Sequence, residues 1–549
     1  MEKNKIIKTV VTYLIVTFIA FIVYYLALPP INLQAADFWI FLAFLLLIYL
    51  APVSVTLLKG KSFAKNIGHV KMGAYSLKAN KLLMIALIPL VVVIIGGAIS
   101  SEVFNARAYA AVITVNESVF EEDMPQTDSV TNIALMDTQS ARIVGNRTLG
   151  SLSDVVSQFE ISDYYNQINY QNTPKKVSNL EYVDFFKWLG NRASGVPGFV
   201  MVDPVNNTAE YIKLSTSMKY AESGYFGDDL MRKLRFSYPT KIFGTPKFEV
   251  DDNLNPVYVV PCYKPRVALF GAMDVNEVVI FDPCTGESNL YAIGEVPTWI
   301  DIVYDGDLAS EKYNWHGTLS GGWFNSIVGN KGCKQTTDDY GYLALNDDVW
   351  YFTGVTSVTS DESNIGFILT NARTGEYKYY SVIGAEEHSA MGAAEGEVQE
   401  KGYEASFPAL INVSGEATYV MVLKDSNGLV KLYALVNVEQ YGIVATGATQ
   451  QEAMAEYKRL LSENGILDGD QDNSQTYTIT VLQIKETVID GNTVYYYQAE
   501  ENGQTVYYMI SLKDDQSALF IKPGDSITVS RALTQTQGIY NILSWQFLN

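Results

Sequence analysis

The 549 residues, 48% hydrophobic and 12% aromatic, are too many for one hydrophobic core, and this composition excludes a disordered chain. Charge is divided unevenly along the sequence. Residues 1–100 contain nine Lys, no Arg and two acidic residues, a net charge of +7; because the whole chain carries −21, residues 101–549 carry −28. So acidic a region excludes a nucleic-acid partner, which would require a basic face.

Three uncharged apolar stretches lie near the N-terminus: "TVVTYLIVTFIAFIVYYLAL" (9–28), "FWIFLAFLLLIYLAPVSVTLL" (38–58) and "LLMIALIPLVVVIIGGAIS" (82–100). Each is about 20 residues long, enough for a helix to cross a ~30 Å hydrocarbon layer. A cleaved signal peptide is the alternative interpretation of the first stretch, but its apolar run is longer than such peptides use. The sequence predicts a membrane anchor of three transmembrane helices in residues 1–105.

Lysine placement predicts the orientation of this anchor. The segment 59–81 contains six Lys and no acid, and Lys3, Lys5 and Lys8 precede the first stretch, whereas 29–37 contains no Lys. Basic segments stay on the cytoplasmic side. We therefore expect a multi-pass protein of the plasma membrane with a cytoplasmic N-terminus and an extracytoplasmic region after residue 101.

The outer region repeats a pattern of helix, strand, turn and strand. Helices are predicted at 177–192, with Ser178 and Glu181 as a capping box, and at 225–236 and 389–402. Turns are predicted at Asn206–Asn207, Thr285–Gly286, Thr374–Gly375 and Asn427–Gly428, at unequal intervals that exclude a solenoid of fixed period. The expected fold class is α+β, built from modules packed side by side.

The C-terminal residues show a different pattern. A helix at 449–465, with Thr449 and Glu452 as a capping box, precedes the polar stretch "ILDGDQDNSQ". Beyond it, residues alternate with period two and are interrupted at Asp490–Gly491, Asn502–Gly503 and Pro523–Gly524, which predicts a small all-β barrel of the OB or SH3-like kind. The predicted division is an anchor at 1–105, α+β modules at 106–215, 216–384 and 385–465, a linker at 466–475 and a barrel at 476–549.

Two groups of residues invite a catalytic interpretation. "EEHSAMG" places Glu387, His388 and Ser389 side by side, but adjacent residues do not form a hydrogen-bonded relay and the chain has no G-x-S-x-G, so Ser389 is predicted to be a helix N-cap. "NWHGTLSGGWFNSIVGNKGCKQ" contains His316 and Cys333, whose spacing does not require a thiol–imidazole pair. A glycine-rich loop that packs its aromatic residues is the favoured interpretation, and no catalytic residue is predicted.

Metal and cofactor sites are not predicted either. "DGDQDNSQTYTI" begins like a calcium loop, but Asn473 and Ile479 stand where Gly and Glu are required. Six further acids are more typical of a charged surface than of a cation site: Asp338, Asp339, Asp347, Asp348, Asp361 and Glu362. No phosphate-binding glycine loop is present.

Cysteine is too scarce to define the redox compartment. Cys262, Cys284 and Cys333 fit no zinc spacing. One disulfide with a spare thiol and three apolar, buried thiols both stay open.

The strands and turns in "VVIFDPCTGESNLY", "FILTNARTGEYKYY" and "VMVDPVNNTAEYI" resemble PepSY-type modules. Those are small extracytoplasmic α+β units found beside membrane anchors and in propeptides that restrain secreted proteases. The apolar "FWIFLAF", followed by "TGVTSVTSDESNIGFILTNARTGEYKYYSV" and "SFPALINVSGEATYVMVLKDSNGLVKLYALVNV", is similar to an uncharacterised family of membrane-anchored proteins from Gram-positive gut bacteria, sometimes labelled colicin V production proteins. The resemblance implies location and modular architecture, with no catalytic residues.

The sequence favours a non-enzymatic, membrane-anchored scaffold of the bacterial cell envelope that binds an envelope protein or a wall polymer and needs no cofactor. One alternative is a hydrolase or transferase on the outer face, using His316, His388, Ser389 or Cys333. The other is an accessory subunit of a transport or secretion complex. Any binding surface is expected where the repeated modules meet.

Overall fold

The computed structural model describes most of the chain as a mixed α+β protein with five sheets. The described residues are 2–65, 72–127, 133–345, 347–466, 477–489, 492–501, 503–512, 515–533 and 538–548. The predicted α+β class is confirmed.

The N-terminal region forms helices α1 (Glu2–Ala27), α2 (Ala36–Lys65), α3 (Met72–Ile99) and α4 (Glu102–Ala110), followed by strand β1 (Val115–Ser118). In α1, the residues Ile6–Ala27 are long and apolar enough to cross a membrane. The apolar part of α2, Ala36–Pro52, is shorter, and Met84–Ile99 of α3 passes such a test only together with α4, after a bend of 56°. Among the described residues, therefore, one helix is of spanning length, or two if the bent pair counts as one span.

Four sheets form the central body, antiparallel except for one added strand in the third, and all four share one plan. In each module two short strands pair, one after the other along the chain, with the same long strand. The two short strands are counted here together as the first strand, so the long strand is the second, and the third and fourth strands follow it in chain order. The first module contains β2 (Phe159–Ile161), β3 (Asn166–Tyr170), β4 (Thr173–Tyr182), β5 (Val196–Asp203) and β6 (Thr208–Met218). The second contains β7 (Ile242–Phe243), β8 (Lys247–Val250), β9 (Pro256–Val267), β10 (Gly271–Phe281) and β11 (Ser288–Ala292).

The third and fourth modules repeat this plan. The third contains β12 (Lys334–Thr336), β13 (Gly341–Leu345), β14 (Asp348–Ser357), β15 (Ser360–Asn371) and β16 (Tyr377–Tyr380), with β17 (Gly384–Ala385) paired to β15 and β1 added parallel to β16. The fourth contains β18 (Glu404–Ala405), β19 (Ala409–Val413), β20 (Glu416–Lys424), β21 (Val430–Asn437) and β22 (Val444–Gly447).

Helices cover the faces and ends of these sheets: α5 (Phe120–Asp123), α6 (Thr138–Gly150), α7 (Ser153–Val156), α8 (Phe185–Asn191), α9 (Leu230–Ser237), α10 (Gly306–Leu319), α11 (Glu387–Glu397) and α12 (Gln450–Glu463). The predicted helix at 449–465 is confirmed as α12, since the Thr449 hydroxyl accepts the Glu452 N–H. A short 3₁₀ turn and α9 occupy the helix predicted at 225–236.

The helix predicted at 177–192 is wrong over its first half. Thr173–Tyr182 is strand β4, the buried centre of the first module, and the Ser178 hydroxyl donates to the Ser162 carbonyl instead of capping a helix. Because other strands and the core cover both faces of β4, its apolar residues do not alternate and imitate a helical stripe. Only α8 is helical, and Asp184 caps it by accepting the Phe186 and Lys187 N–H groups.

The C-terminal region is a six-stranded sheet, in the order β23 (Tyr477–Thr480), β27 (Ser526–Leu533), β28 (Ile539–Phe547), β26 (Gln504–Ser511), β25 (Asn492–Glu501) and β24 (Gln483–Ile489). The predicted small barrel is not confirmed: in the part of this sheet that the structure describes, the end strands β23 and β24 do not pair, so the sheet is not closed. Of the predicted linker 466–475, residues 467–475 lie outside the described residues, as does the turn at Asp490–Gly491.

The true signature of the repeat is an Asp or Asn at the end of the third strand. Its side chain accepts one or two N–H groups of the turn that follows, which satisfies backbone donors that the strand no longer pairs. The four residues are Asp203, Asp282, Asn371 and Asn437. In the fourth module, Asn437 occupies the position of Asp203, Asp282 and Asn371. The Asn427–Gly428 turn, predicted as the equivalent of the turns in the other modules, instead joins the second and third strands β20 and β21.

The residue after this Asp or Asn connects one module to the next. The Pro283 carbonyl accepts the N–H groups of Lys219 and Tyr220 at 2.8 and 3.0 Å. In the third module, the Ala372 carbonyl accepts those of Val303 and Tyr304 at 2.9 and 2.8 Å. In the fourth, Val438 accepts the Ala385 N–H at 2.8 Å. Each incoming segment is thus held by the same carbonyl position.

Replacement of Asn437 by Ala is expected to destabilise the protein strongly. The side chain is fully buried, accepts the Gln440 N–H and donates to Glu416 and to the Tyr457 hydroxyl. Leaving these partners unsatisfied costs about 2–4 kcal/mol. The exposed Asn427→Ala is the matched control and should stay within about 0.5 kcal/mol of the parent. Thermal unfolding of the detergent-solubilised chain measures both, and equal shifts would contradict the assigned register.

Candidate functional site

The four modules contact one another in a closed circuit. One hydrophobic core joins the first and second modules, and another joins the third and fourth. The segment 301–304 connects the second module to the third through the Ala372 carbonyl. The circuit closes where Lys424 of the fourth module meets Asp137, the N-cap of α6, at 2.5 Å. The places where modules meet are therefore few and well defined.

Buried carboxyl groups lie at the junction of the first three modules. Glu249 of β8 is fully buried and accepts the N–H groups of Asp301 and Ile302 at 3.0 and 2.8 Å. Asp301 in turn accepts the Asn169 N–H of β3 at 2.9 Å. Burial raises the pKa of Glu249 well above its usual range and raises the pKa of Asp301 to about 7. These groups hold three chain segments together.

Lys176 of β4 is a buried cation at the same junction. Its ammonium lies 5.0 Å from the ring centroid of Tyr342 in the third module. Burial lowers its pKa to about 8, and the Asp137 carboxylate opposes this shift only in part. A cation held against a ring in this way ties the first module to the third.

Of the six acids weighed as a cation site, Asp347 and Asp348 bind other side chains of the protein. Asp348 binds Arg373 and Asn371, and the Asp347 carboxylate accepts from Asn169. Asp361 and Glu362 have side chains outside the described set. Within the described residues, His, Cys, Asp and Glu side chains do not assemble in groups of three around a metal position.

Glu387, His388 and Ser389 begin helix α11 but point to different partners. Glu387 is buried and accepts the Gly354 N–H and the Thr337 hydroxyl, and burial raises its pKa to about 7. The His388 ring lies against Phe407, while the Ser389 N–H donates to Glu386. The predicted N-cap Ser389 is wrong, since Glu386 caps the helix and Ser389 lies inside it.

His316 and Cys333 are held apart by separate hydrogen bonds. His316 Nδ1 contacts the Ala110 carbonyl at 3.0 Å, whereas the Cys333 thiol donates to the Thr318 carbonyl and accepts from Asn325. All three cysteines are free thiols, which resolves the alternative left open by their number. Burial raises the pKa of Cys262 to about 12 and that of Cys284 to about 11, so neither is a ready thiolate.

A cleft of about 430 Å³ lies between the first and fourth modules. This cleft, named here the seam cleft, is walled by α6 on one side and by the β20–β21 hairpin on the other, with Met136, Ile143, Val144, Leu429 and Tyr433 among its lining residues. Arg147 and Lys431 are its charged residues. An apolar concavity with a few polar groups is the usual form of a ligand site.

Two of the four predicted turns line this cleft, through Asn207 and Gly428. Packing is similarly close at three of the turns: a Cβ on Gly286 would lie 2.5 Å from the Tyr220 ring, one on Gly375 would lie 2.8 Å from the Tyr304 ring, and one on Gly428 would lie 2.7 Å from Cδ1 of Ile143. The seam cleft is therefore a candidate for the binding surface that was expected where modules meet. Helix α6, which forms one of its walls, shows no recognisable motif in the sequence.

A second cavity, of about 210 Å³, lies where the body meets the α1–α2 connection. It is lined by Asn32, Gln34, Tyr263 and the ion pair of Lys241 with Glu277. Its polar walls join the α1–α2 connection to the body.

No protein-family model and no curated protein matches the chain. Among solved structures, endo-arabinase from Bacteroides thetaiotaomicron aligns over 66% of this chain and 94% of that chain, at 8% identity and a TM-score of 0.16. A similarity this low carries no argument about fold or activity.

Asp301 predicts a pH dependence of stability. Its folded pKa of about 7 lies above the value in the unfolded chain, so the protonated form is favoured by folding and stability is greatest at acid pH. Between pH 5 and 8 the free energy of unfolding should fall by about 2–3 kcal/mol on this account.

Asp301→Asn keeps an oxygen for the Asn169 N–H and should reduce this dependence, while Glu249, Glu387 and Glu222, whose pKa values burial also raises, account for what persists. The exposed Asp252→Asn is the control and should leave the dependence unchanged. Melting temperatures from pH 5 to pH 8 provide the measurement. Parallel curves for Asp301→Asn and the parent would show that Asp301 ionises normally.

Proposed function

We propose that this protein is a membrane-anchored, extracytoplasmic binding scaffold of the bacterial cell envelope. In this proposal α1, α2 and α3 cross the plasma membrane, four PepSY-like modules form the outer body, and the seam cleft receives an envelope protein or a wall polymer. The anchor and the modular outer region also agree with the membrane-anchored family that the sequence resembles. The observation that carries the proposal is the mostly apolar seam cleft between the first and fourth modules.

Two arginines of α9 attach the body to the end of α1. The Arg232 guanidinium donates to the Tyr25 carbonyl at 3.2 Å and lies 4.4 Å from the Tyr25 ring centroid. Arg235, almost fully buried, donates to the Leu28 carbonyl at 2.9 Å. These are the carbonyls that a helix end leaves without partners. The body is therefore fastened to its anchor by charge-assisted hydrogen bonds.

The end of α3 is fastened to the same body. The Ser100 hydroxyl accepts the N–H groups of Leu269 and Phe270 at the tip of the β9–β10 hairpin. The connection after α1 is held as well, since the Ile31 N–H donates to the Pro239 carbonyl. The segment 29–37 and residue 100 thus both contact the body, which supports a topology with the lysine-rich segment 59–81 on the other side of the membrane.

Binding is favoured over hydrolysis because the candidate catalytic side chains are committed to other contacts. His316 and Cys333 bond to separate carbonyls. The Glu387 carboxyl accepts from Gly354 and Thr337, and Ser389 lies inside α11 with its N–H bonded to Glu386. The seam cleft, by contrast, presents the exposed Leu429 and the half-buried Tyr433, which also packs on the core of the fourth module. Apolar side chains of this kind form the centres of protein and polymer interfaces.

Photo-cross-linking in intact cells tests the seam cleft. Benzoylphenylalanine at Leu429 is expected to capture a specific envelope component, because this side chain lines the cleft and is 39% exposed. Leu290, at 37% exposure on β11, is the matched control outside the cleft. Adducts identified by mass spectrometry should appear at 429 and not at 290. The same adducts at both positions, or none above background, would count against the cleft as the binding site.

Protease accessibility tests the topology. Protease added to whole cells should digest residues after about 101, while an epitope inserted in the segment 59–81 should stay intact until the cells are opened. The reason is the exclusion of the lysine-rich segment from translocation. Protection of the outer region in whole cells would overturn the proposed localisation.

A further inference from the structure

The exposed phenylalanines of the body lie in two groups, one near the end of α1 and one near the end of α3. Among the described residues from 102 to 466, five phenylalanines are classed as exposed, at 50–77% of their surface: Phe104, Phe186, Phe226, Phe236 and Phe324. An exposed large apolar side chain is ordinary when isolated, but a contiguous group marks an interaction surface. All five lie close to a point where an anchor helix meets the body, as the contacts below establish.

Three of them surround the end of α1. The Phe236 ring lies 6.0 Å from that of Tyr24 and 6.2 Å from that of Tyr25. Arg232 donates to the Phe226 carbonyl with the same guanidinium that binds the Tyr25 carbonyl. Phe226 in turn packs its ring against Trp188 of α8, at 5.7 Å, and the exposed Phe186 lies two residues before Trp188 on the same short helix.

The other two lie beside the end of α3. Phe104 is 73% exposed and lies on α4, a helix that begins three residues after Ile99. Trp323 packs on a small core that contains Tyr109 of α4 and Val267 of the β9–β10 hairpin, and the Tyr109 hydroxyl donates to the Ser100 carbonyl at 2.7 Å. Phe324 directly follows Trp323 and begins an exposed apolar segment with Ile327 and Val328.

We propose that these residues form a collar that enters the interfacial layer of the lipid bilayer around the anchor. The proposal rests on the membrane anchoring proposed above and adds a second membrane contact, made by the body itself. Phe226 and Phe324 represent its two halves, one fastened to α1 and the other to α3. The body is thereby held flat on the membrane at two separated points.

A lipid surface is the occupant that the geometry favours. The outer ends of spanning helices lie at the membrane–water boundary, where aromatic side chains are enriched and where Phe and Leu side chains of peripheral segments insert. Arg232 and Ser100 fix the collar at this level, because they bond both to an anchor helix and to the body. A protein partner would not need both patches to coincide with helix ends.

Lipid photo-cross-linking of the full chain tests the collar. The protein is reconstituted in vesicles of phosphatidylethanolamine and phosphatidylglycerol, with benzoylphenylalanine at position 226 or 324. Position 520 is the matched control, a phenylalanine 67% exposed in the C-terminal sheet region, against 72% for Phe324. Ile15 of α1 reports insertion of the anchor.

Lipid adducts are expected at 15, 226 and 324, with yields at 226 and 324 on the order of ten times that at 520, as for residues buried ~5–10 Å in the interface. Adducts at 15 but not at 226 and 324 would overturn the collar and leave the anchor standing. Equal yields at 520 and 324 would also overturn it. Absence of adducts at 15 would refute the anchor, and the collar with it.

Discussion

The architecture of the body depends on how the backbone N–H groups of the connecting segments are satisfied once they are buried between sheets. An unpaired donor in such a seam costs free energy comparable to a lost hydrogen bond. The Asp or Asn at the end of each third strand takes the N–H groups of its own turn, so the carbonyl of the next residue is free for the incoming segment. Pro283, Ala372 and Val438 accept in this way, and the spacing of the modules follows from these contacts.

Buried charged side chains also hold segments of different modules together at the junctions. Glu249 accepts two consecutive N–H groups, as the carbonyls do, and Lys176 meets a ring of a neighbouring module. A buried carboxyl is costly and is retained where its hydrogen bonds hold elements in register. The raised pKa values of Glu249 and Asp301 follow from this structural role, and they are not evidence of acid–base catalysis.

The seam between the first and fourth modules contains the seam cleft. Tyrosine rings pack against the Gly286 and Gly375 turns, and Ile143 of α6 packs just as closely against Gly428, with the cleft beside this contact. Arg232, Arg235 and Ser100 fix the body to the ends of α1 and α3. The proposed binding scaffold would use both features, a fixed position and an open surface.

The sequence by itself determined what local chemistry decides. The apolar α1, the Thr449 cap of α12 and the positive-φ glycines at 286, 375 and 428 were predictable, because each depends on neighbours in the chain. Tertiary structure decided that 173–182 is a strand, that Asn437 and not Asn427 marks the fourth repeat, that Glu386 caps α11, and that α6 walls a cleft. Those outcomes depend on pairing and burial between segments far apart in sequence, where packing free energy exceeds the few tenths of a kcal/mol of local propensity.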